Sequence, residues 1–373
     1  MTIPSIATAT TLWKDLLDIV RSLGHDQMAW RRTLSAIGLL TLGMADATAV
    51  DITLAQIMGE VQVQGAGFAA YRPALAGSQV RVGDRVRTGK DGWAVLAFGD
   101  DSRVVLTAGS EFLIRHLDGG RRSGLFSLLA GKLRATISHR PEGLADYRFN
   151  TLTATAGIRG TDFALIHRGQ ANVFFGNTGR VQVRGLGSGE QFLTADTVVQ
   201  TTRGLDPIPP IALDPASPLS RARQTLNAAT DSPPASWAEV DLLPEIIARW
   251  NINYSRYLAD AGRHSEALAV LQVALDLTDD AILNADAHLE RAAVHGREPD
   301  GAAAALAEYA LLLDAAKPAQ QRETALFMTG KALHQMGRRQ EARARLRQYM
   351  RDYPDGRYSE SCETLLRLLA DSI

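Results

Sequence analysis

Apolar and polar residues alternate with a period of two along Gly59-Glu60-Val61-Gln62-Val63-Gln64 and again at Val80-Arg81-Val82. That spacing is the mark of a half-buried strand. The turn Gly89-Lys90-Asp91-Gly92 leads into Trp93-Ala94-Val95-Leu96-Ala97-Phe98, and Gly99-Asp100-Asp101-Ser102 leads into Arg103-Val104-Val105-Leu106. Further strands are expected at 111–114, 126–129, 132–137, 163–167, 172–175 and 180–183. Residues 59–204 hold 23 of the 32 glycines, so turns recur often enough to keep every strand short. Many short strands at regular spacing predict an all-β domain, and spacing alone does not choose among sandwich, barrel and solenoid.

The period then changes. Residues 205–244 hold 8 of the 14 prolines and few periodic apolar positions, which predicts a proline-rich linker over 204–244, interrupted by a short helix near 219–229. From residue 245 to 373 alanine and leucine recur with helical periodicity. Glu266-Ala267 and Glu341-Ala342 stand in similar contexts, 75 positions apart, which leaves room for a degenerate unit between them over 282–294 and 301–313. The chain is therefore expected to be multi-domain, all-β followed by all-α helical repeats.

Residues 28–49 form a third pattern: Arg31-Arg32, an apolar stretch from Thr33 to Met44, and the small-residue site Ala47-Thr48-Ala49. These are the parts of a secretory signal peptide, within a targeting segment 1–49 cleaved after Ala49. The apolar stretch is shorter than the roughly 20 residues that span a bilayer. Translation starting at Met28 and a long region starting at Met1 are both compatible with it. A periplasmic or secreted protein is expected, with an inner-membrane protein anchored by an uncleaved segment as the alternative.

Charge and composition remove several classes. With 40 basic and 41 acidic side chains the formal net charge is -1, so no basic excess exists to neutralise phosphates and no nucleic-acid partner is expected. One cysteine, Cys362, rules out a disulfide framework. The eight histidines show no paired metal spacing. Neither a G-x-x-x-x-G-K-[ST] loop nor a G-x-S-x-G elbow occurs, so no cofactor, no metal and no enzymatic activity are expected.

Gly83-Asp84-Arg85-Val86-Arg87-Thr88-Gly89, Gly131-Lys132-Leu133, Thr155-Ala156-Gly157-Ile158-Arg159-Gly160-Thr161-Asp162-Phe163 and Asn177-Thr178-Gly179-Arg180-Val181 come in the order seen in a FecR domain. Residues 57–203 resemble that domain. The resemblance implies a β-solenoid-like periplasmic fold of a type known in signal-transducing regulators. The anti-sigma module that precedes the membrane helix of typical members is longer than the residues upstream here, so that activity is not expected to carry over. The helical zone resembles tetratricopeptide (TPR) repeats: Tyr254, Leu258, Gly262 and Leu271 in one unit, and Gly330, Leu333, Gly337, Leu346, Tyr349 and Pro354 in another. Residues 357–370 are expected as a capping helix.

Two sets of candidate residues follow. Arg159, Gly160, Thr161, Asp162 and Phe163 form the family motif. Gly160 is read as a tight turn, Thr161 and Asp162 as bonding local backbone donors, and Phe163 as opening a buried strand. By repeat position Arg249, Arg256, Asp260, Lys331, His334 and Gln335 face a concave groove that suits a protein or peptide partner. An envelope component or receptor is the expected partner of the β domain. The functional expectation is a non-enzymatic envelope adaptor or scaffold. The alternatives are a membrane-anchored FecR-type sensor and an accessory protein of a cell-envelope hydrolase.

Overall fold

The computed structural model describes residues 52–118, 123–138, 146–158, 160–314 and 317–370. The targeting segment with its cleavage site, and Arg159, lie outside the described residues.

Among the described residues seventeen strands form two stacked layers. In the first, β4 (Gln79–Val80) and β6 (Trp93–Phe98) flank β1 (Ile52–Met58). The layer then runs from β6 through β7 (Arg103–Leu106), β9 (Ser123–Thr136), β12 (Asp162–Arg168), β13 (Ala171–Thr178) and β16 (Thr197–Thr201) to β17 (Ile211–Ala212). The second runs from β3 (Arg72–Pro73) through β2 (Val61–Gln64), β5 (Arg85–Thr88), β8 (Glu111–Asp118), β9, β10 (Asp146–Asn150), β11 (Ala154–Ile158) and β14 (Arg180–Gly185) to β15 (Glu190–Thr194). Neither layer closes on itself. The chain winds between the two layers, and among the described residues the strand pairing is antiparallel save for the parallel pair β9–β10.

One strand belongs to both layers. The first half of β9 pairs with β8 and β10, the second half with β7 and β12. The change of layer falls at Gly131, whose φ is +99° and whose missing Cβ would lie 2.4 Å from Ser110 Oγ and 2.5 Å from its Cα. Only glycine combines that backbone angle with that approach.

Alternation fills the space between the layers. Leu96, Phe98, Leu133, Phe163 and Phe174 from the first layer meet Phe112, Phe126, Phe149, Ile158 and Val183 from the second. The rings interlock: Phe98 stands edge-on to Phe126 at 5.4 Å, and Phe149 edge-on to Phe163 at 5.6 Å.

The outer face of the first layer is buried as well. Ala164, Ile166, Val173, Phe175 and Val198 share a core with the helices, which is why β12 and β13 read as continuous apolar runs rather than alternating ones. The segment 204–244, expected as a linker, is part of this core. Ile208 and Leu213 are buried, and α1 (Pro218–Asp231) starts with Pro218 just after the N-cap Ser217 and turns Leu219, Ala222, Leu226 and Ala229 inward. A short α2 (Ala238–Asp241) follows. The prolines shape a packed seam instead of spacing two separate domains.

Beyond it lie three helical hairpins and a last helix: α3 (Leu243–Asp260) with α4 (His264–Leu277), α5 (Ala281–His295) with α6 (Ala302–Ala310), α7 (Ala319–Gln335) with α8 (Arg339–Asp352), then α9 (Ser359–Ala370). The turns of the first and third hairpins are copies. Gly262 and Gly337 both have positive φ, and Arg263 and Arg338 each fork onto a glutamate three residues on, Glu266 and Glu341. Gly330 permits α7 and α8 to cross closely, since a Cβ there would lie 2.7 Å from Leu346 Cδ2.

Candidate functional site

The motif residues sit at the join of sheet and helices. Gly160 turns the chain with φ +62°, and Phe163 is fully buried between the layers. Asp162 accepts both arms of Arg134, Nε at 2.9 Å and Nη2 at 2.7 Å, and the Nδ2 of Asn177 at 2.8 Å. Asn177 reaches on to Asn227 of α1, and Arg134 Nη1 to Asp231 at the end of α1. Hydrogen bonding to Asp162 stabilises the guanidinium of Arg134 and raises its pKa. Asp162 thus holds side chains from β9, β13 and, through them, α1, rather than local backbone donors. Thr161 is buried too, but its hydroxyl has no hydrogen-bond partner among the described residues. It is its carbonyl that is used, accepting from Ile137 N at 2.8 Å. Gly179 completes the corner, because a Cβ there would lie 2.5 Å from Thr161 Cγ2.

More polar links fasten the same join. Gln200 and Asn251, both fully buried, exchange reciprocal amide bonds at 3.0 and 2.8 Å. Lys132 reaches Asp241 at 3.3 Å. Burial pushes the Lys132 ammonium below its usual range, against the pull of Asp241. Arg168 spans to Glu245 at 3.3 Å and Asp279 at 3.1 Å.

The six residues expected in the helical groove lie on α3 and α7, the first helices of the first and third hairpins. Arg256 pairs with Glu290 of α5, and Asp260 with Arg297 at 2.6 Å, so both brace the first hairpin against the second. Arg249 lies exposed beside Trp250, lining a shallow hollow with Leu242, Ile246 and Pro218. Lys331 and Gln335 are exposed on α7, and His334 is half-buried.

The outer face of the second layer has no helix over it among the described residues. A hollow of about 560 Å³ lies across β10, β11, β14 and β15. Outward residues form its floor and walls: Asp146 and Arg148, Thr155 and Gly157, Arg180, Gln182 and Arg184, and Phe192. The register aligns Arg148, Gly157, Gln182 and Phe192 in one row across the four strands. Thr155, Arg184 and Glu190 make the next row. Arg180 lies over the Phe192 ring, 3.6 Å from its centre. Arg184 pairs with Glu190 at 3.0 Å and Arg148 with Asp146 at 3.3 Å. Three guanidiniums around a polar floor favour binding of an anionic group. The trough was invisible to a motif search, since its residues come from four strands; the signal available in sequence was the alternation Arg180-x-Gln182-x-Arg184. Among the described residues no three His, Cys, Asp or Glu come together as metal ligands, and no helix is long and apolar enough to cross a membrane.

Residues 84–182 match the sequence model of a family described as FecR protein. The match covers the middle of the sandwich and ends inside the trough, at Gln182. No curated protein matches the chain. Two crystal structures of a candidate anti-sigma factor from Parabacteroides distasonis ATCC 8503, at 1.65 and 2.50 Å resolution, are similar over part of their length. Each is 13% identical to this chain, with TM-scores of 0.30 and 0.32. The alignments cover 35% and 39% of this chain, and 60% and 63% of those chains, so the chain spans somewhat under two thirds of their length.

Proposed function

We propose that this chain is a non-enzymatic, FecR-type adaptor of the bacterial envelope, exported to the periplasm, which engages a protein partner on the open face of its second β-layer. The observation that carries the reading is the unequal treatment of the two layers. Helices bury the outer face of the first, while the second keeps an outer face with a trough built from strands inside the FecR match and just beyond it. The trough offers charge and hydrogen bonds but no nucleophile placed beside a base, which suits binding rather than turnover.

The three hairpins and α9 act, in this reading, as a short TPR-type array with its capping helix. Arg249, Lys331, His334 and Gln335 remain its candidates for a second protein contact, with Arg256 and Asp260 in a structural role. The full-length exported protein, immobilised and exposed to an envelope extract, is expected to retain a partner that a doubly reversed variant, Arg148→Glu with Arg184→Glu, does not. An identical set of captured proteins on both would refute the reading. The family match also favours a second one, an inner-membrane-anchored sensor. N-terminal sequencing separates them: a start near Val50 supports the exported adaptor, an intact leader the anchored sensor.

A further inference from the structure

We infer that the trough takes an extended acidic peptide segment whose carboxylates are four residues apart. This rests on the reading of the open face as the partner surface and adds the chemistry of what binds there.

The spacing comes from β14. Its outward positions read Arg180, Gln182, Arg184: basic, neutral, basic. At a rise of about 3.3 Å per residue the two arginine positions are about 13 Å apart, the distance between residues i and i+4 of an extended chain. Gln182 between them carries an amide, now donating to Glu190 at 2.7 Å, that suits a neutral polar side chain at i+2 once Glu190 is displaced. Arg148 stands two strands away, about 10 Å across the floor, where it can reach either carboxylate from the opposite side. The carboxylates these arginines now hold, Asp146 and Glu190, are in exposed pairs of small net worth, so an incoming carboxylate can replace them.

The floor is Gly157. Its φ is ordinary, and a Cβ there would meet only Gln182, at 3.9 Å. The backbone does not require a glycine at this position, and a side chain would fit the fold. What the missing side chain provides is open space between Arg148 and Gln182.

Two other polyanions fit less well. A sugar chain needs an exposed aromatic platform, and the face of Phe192 is capped by Arg180. A uniformly charged polymer, whether polyuronate or nucleic acid, would bring charge beside the neutral Gln182 as well as beside the arginines, where the peptide places none.

The test uses the full chain and a fluorescent peptide with two glutamates four residues apart in a serine–threonine background, read by anisotropy at low salt. Saturable binding is expected. Reversal by Arg180→Glu or Arg184→Glu should weaken it by about tenfold or more, and Arg351→Glu on an exposed helix face should not change it. Gly157→Val should abolish binding while leaving the melting temperature unchanged or higher, since a β-branched residue suits a strand. A peptide with its glutamates two residues apart should bind several-fold more weakly. Equal binding of the two spacings, tighter binding of an oligogalacturonate or oligonucleotide, or full binding by the Gly157→Val protein would overturn the inference. If partner capture depends on Arg148 and Arg184 but the peptide does not bind, the ligand chemistry fails and the surface stands. If neither depends on them, both fail.

Discussion

At the scale of single residues, the chain fastens sheet to helix with polar groups that are costly to leave unpaired. Gln200 on β16 and Asn251 on α3 satisfy each other's amides where no water reaches either. Asn251→Ala leaves the Gln200 donor and acceptor buried without partners, which costs about 2 kcal/mol. Denaturant unfolding of the single variants and of the double variant with Gln200→Leu checks this. The double variant should recover part of the loss, and strict additivity would show that the pair is not coupled. A second polar knot, between α5 and α6, is expected to make the stability of the chain sensitive to acid. Glu308 accepts from His288 at 2.7 Å and faces Arg291 at 3.0 Å. Burial pushes its carboxyl up, but the hydrogen bond to His288 and the charge of Arg291 outweigh that and hold it below its ordinary value of 4.5. With the folded pKa depressed, the stabilisation is complete above the ordinary value and is lost as pH falls through the folded one. Glu308→Gln should therefore lower the melting temperature at neutral pH and flatten its fall towards about pH 3. An unchanged slope would mean that Glu308 does not carry the sensitivity.

At the scale of elements, α1 is what makes one body of two halves. It lies where composition reads as linker, with Leu219, Leu226 and Ala229 in the same core as Ile166 and Phe175 of the sheet. Leu226→Ala should cost about 3 kcal/mol, read as a lower midpoint for the whole chain by circular dichroism. Loss of helical signal alone, with the sheet untouched, would mean that α1 does not couple them. The same segment shows what the sequence could and could not say. Strands and helices were legible because their apolar residues repeat with the period of the element: Val61 and Val63 in β2, or Leu326 and Leu333 in α7. The seam was not, because Ile208 stands alone between two prolines and Ile211-Ala212-Leu213 is too short a run to show a period, and only distant partners give them a place in the core. The double burial of β12 was written in Phe163-Ala164-Leu165-Ile166, a run with no polar face. In the motif, the turn at Gly160 and the buried Phe163 follow from residue type alone. The partners of Asp162 do not, since Arg134 and Asn177 are far from it in sequence and only the sheet register brings them together. For the same reason the arginine trough is a property of four strands side by side.

At the scale of the whole molecule, the cores are linked in series. One joins β12, β13 and β16 to α1 and α3–α5, the next joins α5, α6 and α7, and the last joins α7, α8 and α9. Repeat arrays held by neighbour contacts lose end units at modest cost, whereas removing a unit that covers the sheet uncovers the sheet itself. Ending the chain at Asp314 removes α7–α9 and exposes Tyr309, Leu312 and Ala292, a small surface on a remaining hairpin. Ending it at Leu213 removes every helix from α1 onward and exposes Ile166, Val173, Phe175 and Val198 together, an apolar face of the kind that drives aggregation. The longer piece is expected to be monomeric by light scattering and to unfold with a single transition. The shorter is expected to aggregate or to bind a hydrophobic dye. A soluble, cooperatively folding sandwich ending at Leu213 would show that the helices are an appendage. Failure of both pieces would place the stability of the sheet in the last hairpin and α9. The consequence for function is direct. Deleting the helices to ask what they bind is expected to uncover the sheet as well, so the roles of the two halves are better separated by surface substitutions, at Arg148, Arg180 and Arg184 on one side and at Arg249, Lys331 and Gln335 on the other.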